Sequence, residues 1–384
     1  MNASASGPRV TVLLPNLAGG GAERVMLTVA GGLADAGADV RLLLGDTSGP
    51  LAEQVPGNIA VESMGRVHLR DAVPAVARHL RRERPHCLLS TLEHANVVAL
   101  AANAMNGSRT AVAVRVANTL GEMAAANPSA KDRLALVAAR RLYPRAAAVI
   151  APSRGVADDL RAVVGSRVEH LMRVIPNPVI GSDLPARAAA PVEHPWFAVG
   201  QPPVLLTVGS LTAKKNHALL LRAAAALVPA IRVRTLILGE GPERPRLTTL
   251  AGELGLRIDE DVSMPGWVDD PYPYLSRCSV YVLASDREGL PGALIQALAC
   301  GAAVVSTDCR SGPSEVLDAG RLGRLVPVGD VAAMTAAIRA TLAERTTGVP
   351  SADSSSVLAA YTVAGAVAAY VSLVDELTTA GVAV

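Results

Sequence analysis

The residues that could do chemistry in this chain of 384 sit in short polar clusters between apolar runs. Glu288-Gly289-Leu290-Pro291-Gly292 is a Gly/Pro-bracketed loop carrying an acid, and it opens an apolar helical pattern that carries one amide, Gln296. A loop feeding a helix presents free N–H groups and the positive end of the helix dipole, which suits a phosphate or another anion. Glu288 has the wrong sign for that phosphate and suits sugar hydroxyls beside it. Gln296, further along the helix, suits a second polyol such as a ribose. Gly209-Ser210-Leu211-Thr-Ala-Lys214-Lys215-Asn216 places a lysine in the loop after a strand, where it can offset charge on a diphosphate leaving group. A solvated lysine pair is the plain alternative. Gly239-Glu240-Gly241-Pro242 reads as a turn, and Gly266-Trp267-Val268 offers backbone groups to a flat base.

The first half has a cluster of its own. Gly19-Gly20-Gly21-Ala22-Glu23-Arg24 follows the first strand and opens the first helix. Glycines there bring bare N–H groups to a helix start, again favouring an anion, and a plain tight turn explains them equally well. The lysine and Ser/Thr of a P-loop are missing, and the G-x-G-x-x-G spacing is incomplete, which weakens an oxidoreductase reading. His94 stands just past a strand at the mouth of a helix, and Arg115 at another strand end; ligands gather at the carboxyl ends of parallel strands. Structural roles, a packed histidine and a surface salt bridge, compete for both. Asp259-Glu260-Asp261 is a literal D-x-D, but its polar-turn setting argues against a metal site.

These clusters need elements to hold them. Strand-like apolar runs fall at 9–15, 39–44, 86–91, 110–116 and 147–153, with helical patterns at 22–36, 69–84, 95–106 and 129–142. The alternation breaks over 177–203 in a Pro/Gly-rich stretch. It restarts with strands at 203–208, 232–238, 279–285, 302–307 and 324–328, with helices near 216–228, from 243, from 292 and near 313–318. Buried strands separated by helices predict parallel sheets covered on both faces, and two such series predict two Rossmann-like domains facing across a cleft.

Length also argues for two domains. Half the residues are hydrophobic, 18% are charged and 2% aromatic, so Ala, Val and Leu must build the cores. A net charge of +2 and few aromatics give no general affinity for nucleic acid. The basic run Arg78 to Arg84 reads as the solvated face of a helix. Cys87, Cys278, Cys300 and Cys309 lack metal-ligand spacing and read as small buried hydrophobes in a reducing compartment. The start, MNASASGPRV, lacks a signal-peptide pattern. Ser356 to Val374 is uncharged and long enough to span a bilayer, yet its Ala/Val/Ser/Thr/Gly content favours a largely buried soluble helix.

GGGAER, the Gly-Ser-Leu…Lys215-Asn216 element, GEGPER and above all EGLPGALIQALACGAAVVSTDCRSGPSEVL resemble the retaining GT-B glycosyltransferases of family 4 across nearly the whole chain. The resemblance implies an acceptor domain at 1–180, a linker at 181–202, a nucleotide-sugar domain at 203–355 and a final helix, 356–384, returning to the first domain. It implies that Gly20 and Gly21 approach the diphosphate and reacting centre, that His94 contacts the donor sugar, and that Lys215 and Glu288 take the roles above. Donor contacts are implied for Gly209, Ser210, Asn216, Gly266, Trp267, Val268, Gly289, Leu290, Pro291, Gly292 and Gln296; acceptor contacts are expected at Glu23, Arg24 and Arg115. The position of Gln296 is usually a second glutamate, and Ser210 stands where an arginine is common. The expected activity is metal-independent transfer of a hexose or N-acetylhexosamine, UDP-linked, to a glycan, a lipid-linked saccharide or a small aglycone. A cytoplasmic place is expected, compatible with peripheral contact at the inner membrane face. A non-catalytic sugar-nucleotide binder and a GT-B-fold epimerase are the alternatives.

Overall fold

A computed structural model describes residues 7–65, 69–107, 109–117, 119–121, 130–344 and 352–382. The first six residues, and 346–351 of the polar gap before the last helices, lie outside this set. The chain divides into two compact units, Met1–Pro178 with Val363–Val384, and Val179–Thr362.

Unit 1 is built on a seven-stranded parallel sheet in the order β3-β2-β1-β4-β5-β6-β7. The strands are β1 Arg9–Leu14, β2 Asp39–Leu44, β3 Ala60–Ser63, β4 Cys87–Thr91, β5 Ala111–Arg115, β6 Ala148–Ala151 and β7 Met172–Val174. Unit 2 carries six parallel strands in the order β10-β9-β8-β11-β12-β13, namely β8 Val204–Val208, β9 Arg234–Leu238, β10 Val262–Gly266, β11 Val280–Leu283, β12 Val304–Thr307 and β13 Arg324–Val326. In each unit the strand order reverses beside the first strand, between β1 and β4 and between β8 and β11. Such a switch point leaves a crevice at the carboxyl ends of those two strands, because the connections leave it in opposite directions.

The central strands are buried on both faces, which is why they read as unbroken apolar runs. Two apolar layers flank each sheet. In unit 1 one layer joins Leu80, Val98, Val114 and Tyr143, and the other joins Val12, Met26, Leu33 and Tyr370. Small side chains do much of the packing, so helices lie close on the sheets. A buried polar chain crosses the first layer: His79 lies between Thr11 Oγ1, at 3.0 Å, and Glu62 Oε2, also at 3.0 Å. Glu62 accepts the Nδ1 proton, which leaves Nε2 to accept from the threonine.

The stretch 181–202 contains the helix Leu184–Ala189 and a single 3-10 turn, Pro195–Phe197. Leu184 and Trp196 are buried in the core of unit 2, so this segment is part of that unit's packing. The residues 356–374 are not one helix. A helix Ala352–Leu358 and a 3-10 turn, Ala359–Tyr361, end in unit 2, where the Tyr361 carbonyl accepts the amides of Val179 and Ile180. The helix Val363–Val382 then packs Tyr370, Leu373, Val374 and Leu377 into unit 1. No described helix is long and apolar enough to cross a membrane.

Candidate active site

Unit 2 brings Lys215 and Glu288 together at its switch point, from the loops that follow β8 and β11. The β8 loop runs through one 3-10 turn, Ala213–Lys215, to Asn216, which is left-handed at φ 42° and caps the helix His217–Leu227 by accepting the Leu219 amide. Asparagine tolerates that backbone and is a good cap, which is why it stands there. Its amide nitrogen donates to Asp286 Oδ1 at 2.7 Å, and the Asp286 N–H donates to the Lys214 carbonyl. The two loops are thereby tied on both sides of the lysine. Lys215 Nζ donates to Glu288 Oε1 at 2.5 Å, and Ser285 Oγ donates to the same oxygen at 2.6 Å. The lysine side chain is 17% exposed and the glutamate 7%, so water screens the pair little. The lysine stem runs past Gly209, where a Cβ would lie 3.5 Å from its Cε.

Below this pair the loops stack through the backbone. Gly209 N–H donates to Leu238 O, Leu211 N–H to Glu240 O, and Gly239 N–H to Gly266 O. Gly239 has φ +152°, and a Cβ there would fall 2.0 Å from the Gly209 carbonyl oxygen, so only glycine permits the approach. Glu240 accepts from Arg244 Nε and Nη2, while Arg244 Nη1 donates to Met264 O and pins the β10 end. His217 lies beneath Ser210, with Nε2 3.3 Å from its carbonyl oxygen. Burial pushes the His217 pKa down to about 4, so the neutral ring is the donor.

The helix Gly292–Ala299 starts directly after Pro291. Among the described residues the amides of Leu290 and Gly292 meet no backbone acceptor, so they remain free at a helix N-terminus. Gln296 Nε2 donates to the Tyr272 hydroxyl at 3.2 Å, and that hydroxyl donates to the Val179 carbonyl at 3.4 Å. Because Tyr272 spends its proton on Val179, Gln296 must face it with the donor. Its Oε1 is therefore the open acceptor. The Arg187 guanidinium, paired with Asp270, lies 4.3 Å from the Tyr272 ring centroid and holds the ring in place. Trp267 is 67% exposed, its indole N–H held by Asp269.

Unit 1 has the matching arrangement at its own switch point. Gly20 and Gly21 follow β1 at the start of the helix Gly21–Asp35. Glu23 is buried and folds back on Gly20, where a Cβ would meet its Oε2 at 2.3 Å; Arg24 is exposed. His94 follows β4 as the second residue of the helix Glu93–Asn106, half-buried. Leu92 before it is held at φ 73°, a strained conformation for a leucine. Arg115 corrects an expectation. It is 2% exposed, inside unit 1, donating to Thr91 Oγ1 and Asn177 Oδ1, with Tyr370 beside it, and burial lowers its pKa. An arginine enclosed by its own unit has no face for an acceptor, so its part is to tie β5 to the chain near Asn177.

Ser285, Asp286, His217, Tyr272 and Arg187 complete these contacts and were not read as site residues. Only Ser285 and Asp286, inside the same S-D-x-E segment as Glu288, carried a local signal. The D-x-D acids are structural: Asp261 pairs with Arg257, whose guanidinium holds its carboxyl below the usual range, and Asp259 forms a left-handed turn. No group of three metal-ligating side chains occurs among the described residues. None of the four cysteines forms a disulfide; Cys87, Cys278 and Cys309 are buried, while Cys300 is half-buried, with burial raising its pKa to about 12.

Two family profiles match the chain, Glycosyltransferase Family 4 over residues 19–180 and Glycosyl transferases group 1 over residues 202–344. The chain belongs to the family 4-like GT-B glycosyltransferases. A relative from Campylobacter jejuni, N-acetylgalactosamine-N,N'-diacetylbacillosaminyl-diphospho-undecaprenol 4-alpha-N-acetylgalactosaminyltransferase, is 33% identical over 204 residues, 52% of each chain. The lipopolysaccharide core biosynthesis glycosyltransferase LpsE of Rhizobium meliloti is 33% identical over 142 residues, 37% of this chain and 40% of that one. The chain thus spans about half the length of the first of these relatives and less of the second. Among solved structures, Anabaena HepE in complex with UDP and glucose superposes with a TM-score of 0.77 at 19% identity, covering 96% of this chain and all of that one. Sucrose-phosphate synthase from Thermosynechococcus elongatus gives 0.77 at 19% identity, covering 97% and 100%. These likenesses establish the GT-B fold.

Proposed function

We propose that the protein is a retaining glycosyltransferase that moves a hexose or N-acetylhexosamine from a UDP-linked donor to an acceptor hydroxyl in bacterial glycan assembly. The observation that carries this reading is the Lys215–Glu288 pair at the unit 2 switch point, beside the free amides of Leu290 and Gly292. A lone lysine held by a carboxylate can exchange that partner for a diphosphate, and Glu288 Oε2 remains to accept sugar hydroxyls. In the reaction the bond from the anomeric carbon to the phosphate oxygen breaks. The acceptor oxygen bonds to the same face, and its proton passes to the departing phosphate oxygen. Lys215 and the loop amides stabilise the charge that develops there, so the reaction needs no metal. Gly20, Gly21 and His94 serve the reacting sugar, Glu23 and Arg24 the acceptor, and Trp267 with Val268 the base. Gly209, Ser210, Asn216, Gly266, Gly289 and Pro291 shape the donor pocket around Gln296 Oε1. The names of the relatives support a UDP donor and a lipid-linked glycan acceptor, since one was solved with UDP and glucose and another acts on a diphospho-undecaprenol-linked sugar.

A panel of UDP-hexoses and UDP-N-acetylhexosamines, with lipid-linked saccharides as acceptors and chelator present, tests the proposal. Transfer with the donor's anomeric configuration kept is expected; inversion, or activity abolished by the chelator, contradicts it. A second reading, a sugar-nucleotide binder without turnover, is favoured by Ser210 and Gln296 standing where charged residues are usual. Donor binding with no transfer or hydrolysis for any acceptor would establish that reading.

A further inference from the structure

The basic run that ends the helix Leu69–Glu83 is more than a solvated face. At the amino ends of β4 and β5 a cavity of about 630 Å³ is lined by Arg81, Arg84, His86 and Arg109, with Leu80 and Leu377 among its apolar residues. It lies at the sheet end opposite the loops that carry Gly20 and His94, within unit 1 alone. Two helices, Leu69–Glu83 and Glu93–Asn106, end beside it. Arginines at helix C-termini are commonly explained by the helix dipole, so the magnitudes decide. Two helix ends contribute roughly half a negative charge each, about −1 in total, against three guanidinium charges. A surplus of about two positive charges is left over.

The nearby acids do not consume that surplus. Glu83 is directed to Arg41 and Arg82, and Glu376 to Arg173. Asp375, on the last helix, does not line the cavity. Among the described residues no carboxylate pairs with Arg84 or Arg109, and Arg81 Nε donates to a neutral partner, Asn106 Oδ1. His86 Nδ1 accepts the Arg9 amide at 2.9 Å, which puts the neutral ring's proton on Nε2 as a further donor. Arg9 in turn donates to the Arg84 carbonyl, so the residue is anchored by its backbone while its side chain is free. The volume exceeds what a bare phosphate needs and falls in the range of small-ligand sites.

We propose that this cavity binds a phosphomonoester dianion, either a soluble phosphorylated metabolite or a phospholipid headgroup, at a site separate from the transferase centre. The proposal does not depend on the transferase reading. The test uses the full-length protein, an Arg84→Ala/Arg109→Ala variant and a charge-matched control, Arg222→Ala/Arg232→Ala, on the exposed surface of unit 2. Two probes are applied: glycerol 3-phosphate by calorimetry, and co-sedimentation with phosphatidic acid/phosphatidylcholine vesicles against phosphatidylcholine alone. Saturable glycerol 3-phosphate binding, weakened tenfold or more in the first variant and unchanged in the control, supports a soluble ligand. Vesicle binding lost in the first variant only, without glycerol 3-phosphate binding, supports the headgroup. If neither probe binds, or both variants lose binding equally, the proposal is overturned. All four substituted arginines are exposed, so unchanged melting temperatures are expected throughout.

Discussion

Gln296 is where one side chain separates this chain from the usual pattern of its family, and its contacts give the difference a physical meaning. Its amide nitrogen is committed to Tyr272, leaving a neutral oxygen for a ribose hydroxyl. A hydrogen bond to a charged acceptor contributes about 1 kcal/mol more than one to a neutral acceptor, so Gln296→Glu should tighten donor binding about fivefold. The Tyr272 hydroxyl would then turn from Val179 to the new carboxylate. Calorimetric titration with UDP-sugar checks this; equal or weaker binding would show that the amide itself is required. His217 gives a pH dependence of stability. Its pKa is pushed from 6.5 to about 4, so the unfolded chain binds the proton first as pH falls. Stability from this group is therefore complete above about 6.5 and declines between 6.5 and 4, by up to about 3 kcal/mol. Thermal melts across that range should show the decline, and His217→Gln, which keeps a donor for the Ser210 carbonyl, should flatten it.

At the scale of elements, the site depends on three strand-end loops stacked by backbone hydrogen bonds. Gly239→Ala forces a Cβ against the Gly209 carbonyl, and should cost about 3 kcal/mol while lowering donor affinity through the displaced β8 loop. Urea unfolding and donor titration measure the two effects; a variant as stable as the parent would contradict the stacking. Central strands such as RVTVLL and VYVL were legible because burial on both faces leaves no polar alternation. The short strands AVES, MRV and VSMPG were not recognised as strands, since their partly exposed or irregular character removes the apolar signal. The loops holding Lys215 and Glu288 were legible from Gly and Pro. Their supports were not: Asn216 meets Asp286 across 70 positions, and Gln296 meets Tyr272 across 24. Arg115 misled for the same reason, as its partner Asn177 is 62 residues away. Contacts closed by the fold leave no local trace.

For the whole molecule, two units with the same kind of strand order each place a glycine-bearing loop and a polar strand end at a switch point. The break at Thr362 lets the last helix complete the core of unit 1 instead of extending unit 2. The central claim is that unit 2 holds a diphosphate through Lys215 and spends that contact on the departing group. Lys215→Ala, assayed with its best UDP-sugar donor and compared by melting temperature, tests this most directly. Removing a charge-stabilising donor of this kind commonly costs roughly a hundred- to a thousandfold in turnover. The account predicts such a loss in a protein that still folds; turnover near that of the parent would contradict it.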